Sequence, residues 1–209
     1  METLYKETQI LTVVLIEPKD IFSSTETLNL VNQFFALRRE KWVDHNCWEE
    51  TDSSQTHYQG FLNHFTLPEQ AEGWFNKYEV DAYDIASDFV LVISNNKVVG
   101  GCRILKDERK EVQQGGCTRR LMVASRFVAD STFDIKVLME GVCSYTHFRK
   151  ETHLFADLRN SLFKLFRRGG LKIEKISDKP TITKGTCKFF PVIIDLSEGL
   201  GFTNPLLRS

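Results

Sequence analysis

The stretch DFVLVISNNKVVGGCRIL, from Asp88 to Leu105, gives the firmest prediction of local structure in this chain. Two runs rich in β-branched residues, 88–94 and 97–105, flank the pair Asn95-Asn96. Asparagine tolerates the positive φ angles that a two-residue hairpin turn requires. The stretch therefore predicts two antiparallel strands that are joined by a tight turn.

Upstream of the hairpin, the sequence predicts one strand and one long helix. The β-branched run Gln9–Glu17 is stopped by Pro18, which indicates a first strand. The run Ser23-Ser24-Thr25-Glu26 offers a capping box, and the apolar residues after it recur at helical spacing, which predicts an amphipathic helix. These apolar residues are Leu28, Leu30, Val31, Phe34, Phe35 and Leu37.

Beyond the hairpin, strand and helix patterns alternate. Arg119–Ala129 predicts a third strand of the same group, and Gly169-Gly170 marks the end of a short helix. The segment 49–78 has no clear period, and we interpret it as an insertion. The other predicted elements are helices Phe133–Lys150 and Ser161–Arg168 and strands His153–Asp157, Leu171–Ile176 and Lys188–Leu196.

The composition argues against several classes of protein. A chain of 209 residues, 42% of them hydrophobic, predicts one compact domain over residues 1–209. A net charge of −1 argues against a nucleic-acid binder, because phosphate recognition needs a clustered positive field. Five cysteines without a CxxC pair predict neither a disulfide framework nor a metal site, and they favour a cytoplasmic protein. The apolar run ILTVVLI is flanked by charged residues and is followed by no small-residue cleavage site, so it indicates a strand and not a signal peptide. It is also far too short for a membrane span.

The run RREKWVDHNCW, Arg38 to Trp48, combines a guanidinium with two indoles. Arg38 and Trp42 are one helical turn apart, and Trp48 falls past the helix end, where it could close the same pocket. A guanidinium clamps a carboxylate, and an indole face attracts a sulfonium or ammonium by roughly 0.5–2 kcal/mol. The alternative is that these side chains are core residues beside a solvated edge.

The run EVDAYD supplies three carboxylates, on Glu79, Asp81 and Asp84. Asp81 and Asp84 are three residues apart, so we expect them to face the same side of a helical turn or tight bend. Beside arginines they would form a charge network that orients a substrate ammonium. The alternative is a pair of capping acids in a surface loop. Arg103, on the second hairpin strand, could equally be a surface residue.

In order along the chain, these pieces and the tripeptide Ser125-Arg126-Phe127 resemble the signature of the acyl-homoserine-lactone synthases. The resemblance runs from about Arg38 to the end of the last apolar strand. Members of that family make quorum-sensing signals, and their fold is similar to that of the GNAT acetyltransferases. The resemblance implies an α/β fold of three layers, with a mixed, mostly antiparallel central sheet flanked by helices.

The resemblance also implies substrates and roles. The substrates are S-adenosylmethionine and the phosphopantetheine thioester of an acyl carrier protein or coenzyme A, with no tightly bound cofactor. Arg38 and Arg126 hold a carboxylate or orient the acyl carbonyl, and Trp42 and Trp48 flank the sulfonium. The chemistry is assigned to Asp84, Ser125 and Arg126, and the remaining substrate-binding residues are Glu79, Asp81, Arg103 and Phe127.

One position departs from the family pattern. Val123 stands where the family carries a glutamate that is proposed to take the proton of the attacking amine, and valine cannot do so. Asp84, Glu79 or a backbone-held water would then serve, or the amine arrives neutral at high pH, or catalysis is weak or absent. Leu105-Lys106 replaces a leucine-proline pair, and the insertion has no counterpart in the family pattern.

The C-terminal part is similar to the family pattern. The cations Lys164, Arg167 and Arg168 would be well placed to meet an acidic carrier protein, although cations at a helix C-terminus are favourable without any partner. Phe148 and Phe155 are candidates to line an acyl channel, although in a chain with 16 phenylalanines the alternative is that they are core residues. Ala156 lies where family members that use 3-oxo chains often carry threonine, which favours an unsubstituted acyl group.

Three hypotheses for function follow. The first is an acyl-homoserine-lactone synthase. The second keeps the acyl donor but uses a free amino acid or another amine as the acceptor, as N-acyl amino acid synthases do. The third is a non-catalytic regulator that binds acyl carrier protein or a nucleotide-like ligand, and Val123 is its main support.

Overall fold

The computed structural model describes residues 11–41, 74, 78, 80–184 and 187–198. In that part of the chain, eight strands form one sheet. Seven of them follow the order β1-β2-β3-β4-β5-β8-β6, and the eighth, β7, also pairs with β8. The strand β4 runs parallel to β5, and the other strand pairs described are antiparallel. The strands are β1 (Leu11–Ile16), β2 (Asp88–Ser94), β3 (Lys97–Gln114), β4 (Cys117–Ala129), β5 (His153–Arg159), β6 (Lys172–Lys175), β7 (Ile182–Lys184) and β8 (Cys187–Asp195).

Four α-helices lie in the described residues: α1 (Thr25–Arg39), α2 (Ala82–Ile85), α3 (Thr132–Phe148) and α4 (Asn160–Arg168). The long helix after β1 is confirmed, but its predicted capping box is wrong by one residue. Ser24 accepts the backbone N–H of Thr27 at 3.0 Å, whereas the Ser23 hydroxyl donates to the carbonyl of Asp20. Ser24 is the N-cap because its extended backbone places its hydroxyl over the first turn.

The hairpin that opens the sheet is confirmed. Asn95 and Asn96 both have positive φ, at 49° and 60°, as a two-residue turn of this hand requires. The strand β3 runs past the predicted end at Leu105 as far as Gln114, and β4 begins at Cys117. A second turn at Gly115-Gly116, with φ of 58° and 79°, joins them. Sequence analysis missed this extension because the residues between are polar.

The sheet separates two apolar layers, so the structure has three layers. Along β2, Phe89 and Leu91 pack toward α1, while Val90 and Val92 pack toward α3, as the alternation of side chains along a strand dictates. The helix α1 approaches β3 closely at Gly101, where a β-carbon would stand 2.8 Å from the ring of Phe34. The predicted fold class is therefore confirmed.

Two further observations concern the chain as a whole. None of the helices among the described residues is long and apolar enough to cross a membrane. Within the predicted insertion 49–78, the structure describes Trp74 and Tyr78 alone. The Trp74 side chain is buried, and its ring packs edge-on against Phe35 with centroids 4.9 Å apart. At least one side chain of that segment is therefore part of the core on the α1 side.

Candidate active site

The site begins at the last turn of α1, where Arg38 points into the protein. Its guanidinium lies 5.4 Å and 5.3 Å from the ring centroids of Phe34 and Phe35. Its NH1 donates to Oδ1 of Asp84 at 2.6 Å, and both side chains have no exposed surface. The interpretation of Arg38 as part of a solvated edge is therefore wrong.

The short helix α2 presents two carboxylates from one turn. Asp81 is the N-cap and accepts the backbone N–H of Tyr83 at 3.0 Å. Asp84 reaches back and accepts the backbone N–H of Asp81 at 2.9 Å, which completes a capping box. The prediction that these acids face the same side is confirmed. The alternative is right that the two acids cap α2 but wrong that they lie at the surface, because Asp84 is fully buried and Asp81 is mostly so.

Arg103 joins this acid pair to the sheet. Its NH1 forms ion pairs with Asp81 and, at 3.1 Å, with Asp84. Its Nε donates to Oγ of Ser125 at 2.9 Å, and the two residues face each other across β3 and β4. The alternative of a surface arginine is wrong, because β3 is an inner strand and only 7% of the side chain is exposed.

Arg126 extends the network along β4. Its NH2 donates to Oδ2 of Asp81 at 2.9 Å. Its backbone has φ of 60°, the left-handed region that a non-glycine residue rarely adopts and that recurs at functional sites. A continuous chain of ionic contacts therefore runs from Arg38 through Asp84, Arg103 and Asp81 to Arg126, and we call it the arginine–carboxylate network.

The electrostatics of the network limit what its acids can do. Burial alone would raise the pKa of Asp81, but the charges of Arg103 and Arg126 outweigh it and hold that pKa well below its usual range. Asp84 uses Oδ1 for two guanidiniums and Oδ2 for a backbone N–H. Neither carboxylate is placed as a ready proton acceptor, and the contacts of Asp84 favour a bracing role over the predicted catalytic one.

The sheet opens beside the network. β4 and β5 pair only from Met122 to Ala124, with Leu154 to Ala156. Both strands continue, to Ala129 and Arg159, without pairing to each other in the described part of the chain. We call this opening the splay. It begins at Ser125, the residue that Arg103 contacts, so the network lies at its mouth.

The two faces of the sheet at the splay differ in character. Val123 packs with Phe155 and three other apolar residues, on the face that carries Ser125. Ala156 is fully buried on the opposite face, under α3 and α4. Phe127 lies there as well, with its ring 5.9 Å from that of Phe166. The structure therefore separates Phe127 from the network that sequence analysis grouped it with.

The remaining predicted residues lie elsewhere or outside the description. Phe148 ends α3 with 73% of its side chain exposed and lies against Arg149, a position that gives no support to an acyl channel. Arg167 and Arg168 are exposed in the last turn of α4. Trp42, Trp48 and Glu79 lie outside the described residues.

Sequence analysis missed one acid at the splay. Asp157 follows Ala156 on β5, is partly buried, and accepts a hydrogen bond from the hydroxyl of Thr181. The signal was available in the run HLFADLR, where a carboxylate follows an apolar stretch of a strand. A partly buried acid in such a strand is unusual enough to be a candidate functional residue.

Comparison with known proteins shows the fold. No family model matches the sequence, and no curated protein matches it either. The AHL synthase LasI is similar in structure, with a TM-score of 0.62 at 15% sequence identity, over 90% of this chain and 91% of that chain. The CoA-dependent acyl-homoserine lactone synthase BjaI, solved with SAM and isopentyl-CoA, gives a TM-score of 0.57 at 16% identity, over 89% and 83%.

A third similar structure has a different printed activity. FeeM, an N-acyl amino acid synthase from uncultured soil microbes, gives a TM-score of 0.54 at 11% identity, over 98% of this chain and 100% of that chain. All three comparisons extend over nearly the whole chain, so the likeness concerns the complete arrangement of strands and helices. The chain has the fold of the acyl-homoserine lactone synthases.

Proposed function

We propose that this protein transfers an acyl group from a thioester to the amine of S-adenosylmethionine. Lactone closure then releases methylthioadenosine and gives an N-acyl-homoserine lactone. The observation that carries the proposal is the arginine–carboxylate network at the mouth of the splay. The shared fold supports it, because BjaI was solved with SAM and an acyl-CoA.

The splay suits the pantetheine arm of the acyl donor. Where β4 and β5 separate, their facing backbone groups do not pair with each other in the described residues. Such groups can hydrogen-bond the amides of an extended ligand, which then lies between the strands like an added strand. In this binding mode the thioester carbonyl would lie near Ser125 and Arg126, where β4 and β5 begin to separate. The arm would belong to an acyl carrier protein or to coenzyme A.

The exposure of the three guanidiniums supports a division of roles among them. Arg38 has no exposed surface, Arg103 has 7% and Arg126 has 12% of its side chain exposed. Arg126 is therefore the member that meets the substrate carboxylate or acyl carbonyl by charge-assisted hydrogen bonds. Arg38 and Arg103 hold the two aspartates in place, and Asp81 in turn fixes Arg126. This division refines the prediction that Arg38 itself clamps substrate.

The test is an incubation of the purified protein with S-adenosylmethionine and acyl donors of graded length. Each acyl group is supplied both as coenzyme A and as carrier-protein thioester, and products are identified by mass spectrometry. We expect acyl-homoserine lactone and methylthioadenosine in equal amounts. Arg126→Ala should lower the rate about 100-fold, the scale of losing one preorganised donor. Arg120→Ala is the matched control, because Arg120 is 70% exposed.

Formation of no acyl-homoserine lactone at any chain length, from either donor, would refute the proposal. An equal loss of activity in the Arg126→Ala and Arg120→Ala variants would show that the network has no special part in the reaction, because Arg120 is an exposed residue that pairs with Glu111.

A second candidate is N-acylation of a free amino acid. The likeness to FeeM over 98% of this chain favours it, as does Val123 at a position where the synthase family carries an acid. Calorimetric titration with S-adenosylmethionine separates the two candidates. Absence of heat of binding, together with acyl-thioester consumption in the presence of amino acids, would select this second function.

A further inference from the structure

Asp157 lies across the splay from the arginine–carboxylate network. Phe155 pairs with Val123 in the parallel register, and both side chains belong to one apolar cluster. Asp157 is two residues beyond Phe155, and Ser125 is two residues beyond Val123, so all four side chains share one face. Asp157 and Ser125 therefore stand on opposite lips of the opening, on the face where Arg103 contacts Ser125.

The surroundings of Asp157 differ from those of the network acids. Its Oδ1 accepts the Thr181 hydroxyl, and in the described part of the chain no cation forms an ion pair with it. Burial raises the pKa of Asp157, against the lowering effects of the Thr181 hydroxyl and of the Lys110 ammonium nearby. Its partner on β8, Pro191, carries no charge. Asp81 pairs with two guanidiniums that keep its carboxylate ionised, and Asp157 does not.

We propose that Asp157 is the proton acceptor for the attacking amine. This inference rests on the proposed function. It assigns to Asp157 the role of base, which Val123 cannot fill. Val123 of β4 lies opposite Phe155 of β5, and Asp157 is two residues further along β5. The Cα atoms of Val123 and Asp157 are therefore on the order of 8 Å apart. If the thioester is bound in the splay, the attacking amine would lie close to Asp157.

The substrate ammonium gives one proton to a carboxylate oxygen of Asp157, which frees the nitrogen lone pair. The amine adds to the thioester carbonyl carbon and forms a C–N bond. Collapse of the adduct breaks the C–S bond, and the departing thiolate takes the second proton from nitrogen. Asp157 then releases its proton to solvent, so the products are an amide, a thiol and one proton.

The test compares three variants across pH. Asp157→Asn keeps the size and the acceptor for Thr181 but cannot take a proton, and we expect its kcat to fall about 10²–10³-fold. We expect the KM for the acyl donor to change less than about 3-fold, because a proton acceptor acts after binding. Asp157→Glu should recover to within about tenfold of the wild type. Asp178→Asn is the control, because that side chain is 98% exposed, and it should match the wild type.

The dependence of kcat/KM on pH distinguishes a proton acceptor from a residue with a purely structural role, because a structural role would leave this dependence unchanged. In the wild type, kcat/KM should fall on the acid side as Asp157 becomes protonated. Thr181→Val removes the hydrogen bond that lowers the pKa of Asp157, so this acid limb should move to higher pH. In Asp157→Asn this acid limb of the kcat/KM profile should disappear. The residual rate should instead rise with pH as the substrate amine itself loses its proton.

The outcomes separate the two proposals. An active wild type with an Asp157→Asn variant of equal kcat and unchanged pH profile would overturn the assignment of Asp157 alone. The assignment would also be overturned if the wild type is active and Asp157→Asn and Asp157→Glu lose activity equally through a raised KM. Such a result would mean that Asp157 only helps to shape the binding site. A wild type without acyl-transfer activity would overturn the proposed function and this assignment together.

Discussion

The guanidinium of Arg38 lies 2.6 Å from the carboxylate of Asp84, and solvent reaches neither side chain. This contact joins the end of α1 to α2, 46 residues further along the chain. Both residues also belong to the network that ends at the splay. The same interaction therefore holds the fold together and positions the candidate active site, so stability and activity should respond together to changes here.

Asp84→Ala should be strongly destabilising. It leaves the buried guanidinium of Arg38 without its carboxylate, and breaking a buried pair costs about 3–5 kcal/mol. The measurement is equilibrium unfolding in urea. The double variant Arg38→Met with Asp84→Leu removes both charges and should regain much of that loss. A loss below about 1 kcal/mol in Asp84→Ala would contradict the burial of this pair.

The elements of the fold could be predicted where one residue pattern outweighed the others. Asn95-Asn96 and the apolar runs around it were sufficient for the first hairpin, and it is confirmed. The outer part of β3 and β4 could not be read in this way, because its exposed strands carry charged and polar side chains with no apolar alternation. Gly115-Gly116 was its available signal, a two-residue turn between short polar runs.

The residues of the arginine–carboxylate network were named from the sequence, but most of the contacts between them could not be predicted from it. Asp81 and Asp84 share one turn, so local spacing was enough to place them together. Arg103 contacts residues 22 positions away in both directions, and no local pattern reports such contacts. Asp157 was missed because its role depends on the divergence of two strands, which is a property of the sheet.

Arg126 provides a test of backbone strain at the splay. Its φ of 60° is easy for glycine and unfavourable for alanine by roughly 1–2 kcal/mol. Arg126→Gly and Arg126→Ala both lose the ion pair with Asp81, so the difference between them isolates the backbone. We expect Arg126→Gly to be more stable than Arg126→Ala by about 1 kcal/mol in urea unfolding. Equal stability would show that residue 126 is not held in the left-handed region.

Asp157→Asn should make the folded protein more stable at neutral pH. Burial raises the pKa of Asp157, so the folded state binds that proton more tightly than the unfolded state, and the ionised carboxylate is unfavourable. The stability advantage of the variant should be full above the raised pKa and should vanish as pH falls below the ordinary value of 3.8. Thermal unfolding of both proteins across this window measures it. A variant less stable than the wild type at pH 7 would contradict the raised pKa.

The exposed cations of α4 test the choice of acyl donor. If Arg167 and Arg168 meet an acidic carrier protein, replacing both with glutamate should raise the KM for the carrier-protein thioester roughly tenfold or more. The KM for the matching coenzyme A thioester should change much less, and the effect should weaken with added salt. Equal changes of KM for the two donors would mean that these arginines only stabilise the C-terminal end of α4. Reversal of each charge there costs about 0.3–1 kcal/mol of stability.

The most direct test of the central claim is a crystal structure of the protein with S-adenosylmethionine and a non-hydrolysable acyl-coenzyme A thioether. We expect the pantetheine arm to lie between residues 125–129 and 157–159, with the thioether carbon beside Arg126 and the substrate amine within hydrogen-bond reach of Asp157. An arm bound elsewhere, with β4 and β5 still separated and empty of ligand, would contradict it.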